Sequence, residues 1–361
     1  SWDAKAAERG GFNHFMLKEI YEQPKAIADT LLTRADGLKL DLNLSAIKKI
    51  VFIACGTAYH AGLVGKYAVE QWAGIPVDVE LASEYRYREP KIDSETLVVP
   101  ISQSGETMDT LMAMRYAKSN GAKVLAICNT NGSTIPRESD AVIYTVAGPE
   151  IAVASTKAFA TQLVAMFLIG LHVGRERGTI DVKVAANIEN ELSQLPAKIE
   201  QVLETVEPLR ELTRKFKDAN SMLFLGRHVG YPTAPEGALK LKELAYMHAE
   251  GFAGGELKHG PIALIDQGTP VIAIMPTEGS LLAEKMASNV QEVKARGARV
   301  IAIADAPLDI AEHTIRIPQS HEFLQSVLAV IPLQVIAYEM AIARGNDVDQ
   351  PRNLAKSVTV E

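Results

Sequence analysis

Residues 95–107 read ETLVVPISQSGET. The apolar run LVVPI near the start of this stretch predicts a strand inside a sheet whose two faces are both covered by other elements. Residues 107–119 have the apolar spacing of a helix, and Asn120 and Gly121 end that helix. A buried strand that passes through a polar turn into a helix is the repeating unit of α/β proteins.

The same alternation extends on both sides of this stretch. Short apolar runs predict strands at residues 49–54 (KIVFIA), 76–81, 95–101, 123–128 (KVLAIC) and 141–146, and helical spacing appears at residues 58–72, 107–119 and 156–174. The first 44 residues have helical spacing. We therefore expect an α/β fold with mostly parallel, doubly wound sheets in three αβα layers.

A second unit repeats this order. Residues 221–225 (SMLFL) correspond to 49–54, residues 270–275 (PVIAIM) to 95–101, and KARGARVIAIA at 294–304 to KSNGAKVLAIC at 118–128. Recurrence of βα segments by chance is the alternative, but the shared Gly-Ala-basic-Val start favours duplication. We expect a helical segment at 1–44, domains at 45–197 and 198–345, and a tail at 346–361. The charged connector at 188–217 is predicted to break at Pro196.

The composition of the chain restricts the classes of partner, cofactor and compartment that are expected. The 361 residues carry a formal net charge of −7, which disfavours nucleic acid as a partner but allows a small anionic substrate. Two cysteines, Cys55 and Cys128, make no disulfide framework, so a reducing cytoplasm is expected. The histidines lack metal-ligand spacing, and we expect no metal or other cofactor. The most apolar segments fall short of a clean membrane span and are interpreted as core helices.

The polar turn at residues 102–107 is the strongest local signal. Ser102, Gln103, Ser104 and Thr107 surround Gly105 between a strand and a helix, where hydroxyls, backbone N–H groups and the helix end can hold a phosphate. An N-cap turn is the simpler alternative. Four polar side chains exceed what capping needs, and ligands of α/β sheets bind at this edge. Thr57, which follows the first strand, is expected in the same crevice.

A second candidate group lies at residues 235–250, where Pro235 suits a helix start. Glu236, Lys240 and Glu243 are spaced i, i+4, i+7 and share one face of that helix. Spacing alone favours a solvated face with ion pairs. The alternative is a catalytic face, in which a carboxylate moves a proton beside a lysine.

Two further residues are ambiguous on chemistry alone. His259 lies between glycine-rich turns and could act as an acid or base, or could be an ordinary loop residue. Lys356 lies in the C-terminal tail, where a lysine is ordinarily exposed and inert. A carbonyl substrate would give it a use, because a lysine of lowered pKa can form a Schiff base.

Taken together, these segments resemble the isomerase part of the bacterial glucosamine-6-phosphate synthase family. The resemblance covers nearly the whole chain and is carried by residues 10–20 (GGFNHFMLKEI), 55–57, 102–107, 153–157 (VASTK), 239–243 (LKLKE), 256–261 (ELKHGP) and 349–361 (DQPRNLAKSVTVE). It implies two tandem sugar-isomerase (SIS) domains of flavodoxin-like fold and a catalytic C-terminal tail.

The resemblance also implies residue roles. Glu243 would shuttle a proton between C1 and C2 of the sugar, supported by Lys240 and Glu236. His259 would open the sugar ring from a neighbouring subunit, and Lys356 would form an imine with the substrate. The sugar-phosphate site would contain Thr57, Ser102, Gln103, Ser104 and Thr107, with Val153, Ser155 and Ala355 lining the sugar.

The implied reaction converts fructose 6-phosphate to glucosamine 6-phosphate with ammonia, or to glucose 6-phosphate without it. The implied partners are an N-terminal glutaminase domain in the full-length protein and a second copy of the chain in a homodimer. Alternatives within this fold are a stand-alone sugar-phosphate isomerase or deglycase, and a non-catalytic sugar-phosphate sensor.

Overall fold

The computed structural model describes residues 8–34 and 37–360. Two short helices precede the first sheet, so residues 15–21 and 23–32 are helical as expected, whereas residues 8–14 and 37–44 lie outside helices. Predictions for residues 1–7, 35, 36 and 361 lie outside the described residues. The elements of the first half are α1 Phe15–Tyr21, α2 Gln23–Leu32, β1 Lys49–Ala54, α3 Gly56–Ala73, β2 Val77–Leu81, α4 Ala82–Tyr85, β3 Thr96–Ser102, α5 Met108–Ser119, β4 Lys123–Cys128, α6 Thr134–Glu138, β5 Ala141–Tyr144 and α7 Lys157–Arg177.

The second half repeats this plan after a long connecting helix. Two 3₁₀ segments, Gly254–His259 and Pro261–Leu264, follow its second strand. The helices and strands are α8 Val182–Glu204, α9 Glu207–Arg214, β6 Ser221–Gly226, α10 Gly230–Ala245, β7 His248–Ala253, β8 Pro270–Ile274, α11 Leu281–Lys294, β9 Arg299–Ala304, β10 His313–Arg316 and α12 Gln325–Ala343.

Both sheets have five strands, and the described pairings are parallel. The first has the order β2-β1-β3-β4-β5, and the second has the order β10-β9-β8-β6-β7. If the strands of the second unit are numbered 1 to 5 from β6 and the sheet is followed from the β7 edge, its order is also 2-1-3-4-5. This is the doubly wound strand order of flavodoxin-like folds. The α/β class, the three layers and the duplication are therefore confirmed, with each matched strand in the equivalent position.

One continuous apolar core lies between the two sheets. It contains the inward faces of α3, α7, α8, α10 and α12, while each sheet has a smaller separate core on its other face. By length and composition α7 and α12 could also cross a membrane, but 89% of the apolar window of each is buried inside the protein. Such burial is typical of core helices.

The predicted helix break at Pro196 is wrong. Helix α8 continues through it to Glu204, so the expected division after residue 197 falls inside a helix. A proline inside a helix costs about 3 kcal/mol. That cost is outweighed because α8 buries an apolar stripe whose Ile, Leu and Val side chains each contribute roughly 1.5–3 kcal/mol when fully buried. The stripe comprises Ala185, Ile188, Leu192, Leu195, Ile199 and Val202.

The helix of the second candidate group also differs from expectation. Helix α10 begins at Gly230, so Pro235 lies inside it rather than at its start. Residues 248–253 form β7, an edge strand that the sequence did not predict. Gly251 of β7 packs so closely that an added Cβ would lie 2.3 Å from the Pro235 nitrogen. The missing side chain therefore allows the strand to approach the helix at the proline.

Candidate active site

The polar turn after β3 is folded around the Ser102 hydroxyl. Ser102 Oγ accepts a hydrogen bond from the Gly105 backbone N–H at 3.0 Å and lies 2.9 Å from Thr107 Oγ1. Gly105 has φ +67°, and a Cβ there would lie 2.0 Å from Ser133 Oγ. Glycine is thus required both by the backbone conformation and by the close approach of a neighbouring loop.

The other polar residues of this turn are half-buried. The Ser104 hydroxyl accepts from the Glu106 N–H at 3.2 Å, and the Gln103 carbonyl accepts from the Asn129 N–H at the same distance. Thr57 lies in the first turn of α3, after the strand that pairs with β3. The turns after β1 and β3 therefore meet at the switch point of the first sheet, where ligands of such folds bind.

Glu236, Lys240 and Glu243 form a buried charged group rather than the solvated face that their spacing favoured. Glu236 and Lys240 are fully buried, and the Glu243 side chain is 21% exposed. Lys240 Nζ lies 2.6 Å from Glu243 Oε2 and 3.5 Å from Glu236 Oε1. Burial acts to lower the pKa of Lys240, but the two carboxylates outweigh it and raise that pKa above its ordinary value.

Glu236 also connects the two domains. Its Oε1 accepts a hydrogen bond from Thr57 Oγ1 at 3.1 Å, and its Oε2 lies 2.7 Å from His60 Nδ1. Thr57 and His60 both belong to α3, which packs against α10. Thr57, in the turn after the first strand, is thereby joined directly to the charged group on α10.

The C-terminal tail lies against both domains. The Asp349 carboxylate accepts from the backbone N–H groups of Phe15 and Met16 at 2.9 Å each, and the Asp349 carbonyl accepts from the Val153 N–H at 3.1 Å. Farther along, the Val358 carbonyl accepts from the N–H of Met108, the first residue of α5, at 3.1 Å. The tail therefore crosses the start of the helix that follows the polar turn.

Lys356 is not the free surface lysine that a terminal position suggests. Its side chain is 25% exposed, and its Nζ donates to Glu150 Oε1 at 2.5 Å and to the Ala152 carbonyl at 2.9 Å. The other Glu150 oxygen accepts from the backbone N–H groups of Thr156 and Ala158 at the start of α7. Burial raises the pKa of Glu150, but Lys356 and these N–H groups outweigh it and hold the pKa below its ordinary value.

A second carboxyl group lies beneath this ion pair. Glu19, from α1, is 1% exposed, and its Oε1 accepts from the backbone N–H groups of Ile151 and Ala152. Its Oε2 has no hydrogen-bond partner among the described residues. Burial and the nearby charge of Glu150 raise the pKa of Glu19 to about 8. Glu19 therefore braces the segment on which Lys356 rests.

The remaining predicted residues are less connected. Val153 and Ser155 are half-buried beside the start of α7, and Ala355 is exposed next to Lys356. His259 is exposed at the end of the 3₁₀ segment after β7. Among the described residues it makes no hydrogen bond to Glu243 or Lys356. The structure thus joins α3 to α10 through Glu236, and joins the tail to the start of α5 and to the segment before α7, whereas His259 takes part in none of these hydrogen bonds.

Sequence reasoning missed Glu19, Glu150 and His60. Glu19 and Glu150 are single carboxylates without a spacing signal, and their relevance appears only when α1, the segment before α7 and the tail meet. His60 lies three residues after Thr57, on the α3 face that approaches α10. Its only signal was that proximity along the helix.

Comparison with known proteins agrees with the duplicated architecture. Residues 43–170 and 215–344 each match the SIS domain. The chain belongs to the SIS-domain family. The two SIS domains account for the two sheets, and the segments outside the matches include α1, α2, α8 and α9.

Among curated relatives, the chain is 60% identical over 375 residues to the glutamine–fructose-6-phosphate aminotransferase [isomerizing] of Streptomyces coelicolor. It is 57% identical over 376 residues to the protein of the same name from Leifsonia xyli subsp. xyli. Each alignment covers 100% of this chain and 61% of the relative. The chain thus spans about three fifths of the length of these relatives.

A solved structure matches nearly the whole chain. It is the C-terminal domain of the glucosamine-fructose-6-phosphate aminotransferase from Francisella tularensis, with a TM-score of 0.91 and 41% identity. The match covers 95% of this chain and 100% of that chain. A glucosamine-6-phosphate deaminase from Thermotoga maritima, with a TM-score of 0.75 and 23% identity, shares the fold alone.

Proposed function

We propose that this chain is the isomerase part of a glutamine–fructose-6-phosphate aminotransferase and that it makes glucosamine 6-phosphate from fructose 6-phosphate and ammonia. One observation carries the proposal. Val358, two residues beyond Lys356, is hydrogen-bonded to the residue that begins α5, directly after the polar turn. A phosphate in that turn would therefore have an amine nearby. The relatives at 57–60% identity support the same assignment.

The polar turn would hold the phosphate. Hydroxyls of Ser102, Ser104 and Thr107, the Gln103 amide and the N-terminal end of α5 supply donors without requiring a lysine, and Thr57, whose hydroxyl donates to Glu236, would border the same site. Val153, Ser155 and Ala355 would line the sugar. Because the phosphate is remote from the reacting carbons, its binding energy can be used to orient them.

Lys356 would form the covalent intermediate. Its Nζ, which pairs with Glu150 as an ammonium, would first lose a proton to solvent; the neutral amine then attacks C2 of open-chain fructose 6-phosphate, and loss of water gives an imine. Ammonia then adds to C2 and displaces the lysine, which restores the free amine and leaves a C2 imine of ammonia. The overall step consumes one ammonia and releases one water.

Glu243 would then move a proton from C1 to C2. Loss of the C1 proton gives an enolamine, and return of a proton to C2 with loss of the O1 proton gives the aldehyde of glucosamine 6-phosphate. Lys240, 2.6 Å from Glu243, would keep that carboxylate ionised and oriented, with Glu236 completing the group. Without ammonia, the same transfer on the ketose gives glucose 6-phosphate.

The proposal extends to partners. In the full-length protein a glutaminase domain N-terminal to this chain would release ammonia from glutamine. Two copies would form a homodimer in which the exposed His259 of one copy serves the site of the other and opens the sugar ring. The two free cysteines suit a reducing cytoplasm.

The test is an assay of the purified chain with fructose 6-phosphate, with and without ammonium, followed by borohydride trapping and mass mapping of Lys356. We expect glucosamine 6-phosphate with ammonium, glucose 6-phosphate without it, and a reduced adduct on Lys356.

Glu243→Gln should abolish turnover while the adduct still forms, and Lys242→Gln, on the exposed face of α10, is the matched control. Absence of both sugar products would refute the proposal. Isomerisation without any adduct would favour a simple sugar-phosphate isomerase.

A further inference from the structure

His60 is a residue of the first SIS domain that, like Thr57, contacts the charged group of the second. It lies on α3, one turn after Thr57, and its side chain is 15% exposed. Its Nδ1 is 2.7 Å from Glu236 Oε2. Because Glu236 already accepts hydrogen from Thr57 and faces the Lys240 ammonium, it acts as an ionised acceptor, and the His60 ring nitrogen is the donor.

The two Glu236 oxygens are used differently. Oε1 faces Thr57 and Lys240, whereas His60 is the donor to Oε2 among the described residues. Leaving a fully buried carboxylate oxygen without a hydrogen-bond donor costs free energy. If the His60 donor were removed, the Glu236 carboxylate would therefore turn toward another donor. A charged donor that already faces Glu236 is the Lys240 ammonium, whose Nζ lies 3.5 Å from Glu236 and 2.6 Å from Glu243.

We propose that His60 is a positioning residue that keeps Lys240 on Glu243 by holding Glu236 from across the domain boundary. In its absence, Glu236 draws Lys240 toward itself and away from Glu243, and the proton-transferring carboxylate loses its orientation. The inference rests on the proposed function, because it assigns Glu243 to proton transfer. It adds a residue from the other domain to that machinery.

Two substitutions separate positioning from simple packing. His60→Asn keeps an N–H donor at nearly the position of Nδ1, because both nitrogens are attached to Cγ. His60→Leu fills similar space without a donor. A packing role would affect thermal stability and leave the chemistry unchanged, whereas a positioning role lowers kcat and is rescued by asparagine.

The experiment measures kcat and KM for fructose 6-phosphate with ammonium, borohydride trapping at Lys356, and melting temperature. We expect His60→Leu to lower kcat about 10- to 100-fold, as small misplacements of reacting groups do. Its KM and the extent of trapping should stay close to those of the unmodified chain, and His60→Asn should recover most of kcat. His60→Gln, whose amide lies one methylene farther out, should fall between them and gives the answer if His60→Leu does not fold.

Three outcomes would overturn the inference. An active chain whose kcat is unchanged in His60→Leu shows that His60 does not position the group. Equal loss in the leucine and asparagine variants shows that hydrogen-bond donation is not its role. A chain that neither consumes fructose 6-phosphate nor traps it at Lys356 removes the proposed function and this inference together, and so differs from a failure of His60 alone.

Discussion

Replacing Glu19 with glutamine should change how the stability of the protein depends on pH. In the folded protein, burial and the charge of Glu150 raise the pKa of Glu19 from 4.5 to about 8. Between these values the folded state binds one proton more than the unfolded state, so the free energy of unfolding falls as pH rises. The stability associated with Glu19 is fully present below pH 4.5 and is lost as pH rises through 8.

The size of this effect follows from the two pKa values. Each tenfold difference in proton affinity is worth about 1.4 kcal/mol. The ionisation of Glu19 therefore lowers the free energy of unfolding by about 3 to 4 kcal/mol between pH 5 and pH 9. Glutamine stays neutral, and its carbonyl can accept the two backbone N–H groups that Glu19 binds. Its amide would occupy the place of the unpartnered Oε2, at a cost of about 1–3 kcal/mol at every pH.

Urea unfolding at pH values from 5 to 9, followed by tryptophan fluorescence, would measure this difference. Glu19→Gln should be less stable than the unmodified chain at pH 5 and more stable at pH 9, so the two curves cross. Glu204→Gln removes the same formal charge from an exposed position and controls for net charge. Parallel curves for Glu19→Gln and the unmodified chain would show that Glu19 ionises at its ordinary pKa and would refute the reasoning.

Three further substitutions test other parts of the structure. Gly226→Ala should lower the free energy of unfolding by about 3 kcal/mol, because its Cβ would lie 2.1 Å from the Gly230 carbonyl; an unchanged urea midpoint would contradict this. Pro196→Ala should raise the free energy of unfolding by about 1–3 kcal/mol by restoring a helical hydrogen bond. A lower melting temperature would mean that the proline is needed for packing. Ser102→Ala should weaken fructose 6-phosphate binding about tenfold in calorimetry, because the Gly105 N–H loses its partner and the turn loosens. Equal affinity would place the phosphate elsewhere.

Much of the fold was predictable because its central strands are continuous apolar runs. Strand β4 reads KVLAIC and β9 reads RVIAIA, and both are buried along almost their whole length. Strand β7 could not be found in this way. It reads HAEGFA, lies at a sheet edge and pairs with β6, so most of its residues are only half-buried. An edge strand needs no continuous apolar run, and its sequence carries a weak signal.

The site was predictable in part for a similar reason. The polar turn at 102–107 is local, and a strand, turn and helix in succession identify it. The environment of Glu236, Lys240 and Glu243 was not predictable, because an i, i+4, i+7 spacing is the same on a solvated face and in a buried group. Burial depends on packing against elements distant in the chain, and the contacts of α3 to Glu236 come from residues 176 and 179 positions away. Likewise, Lys356 becomes distinctive only through Glu150, 206 positions earlier.

The contact between α3 and α10 has a consequence for the symmetry of the molecule. Each helix follows the first strand of its own unit, so the two are equivalent elements, and they pack against each other. Equivalent elements in mutual contact are the arrangement of a two-fold symmetric dimer. In such a dimer the two copies have the same sequence, so every substitution appears in both copies. Covalent fusion removes that constraint, and here one helix presents Thr57 and His60 while its counterpart presents two carboxylates and a lysine. The duplicated chain thus resembles a dimer of two equivalent units, with an asymmetric charged group where α3 and α10 meet.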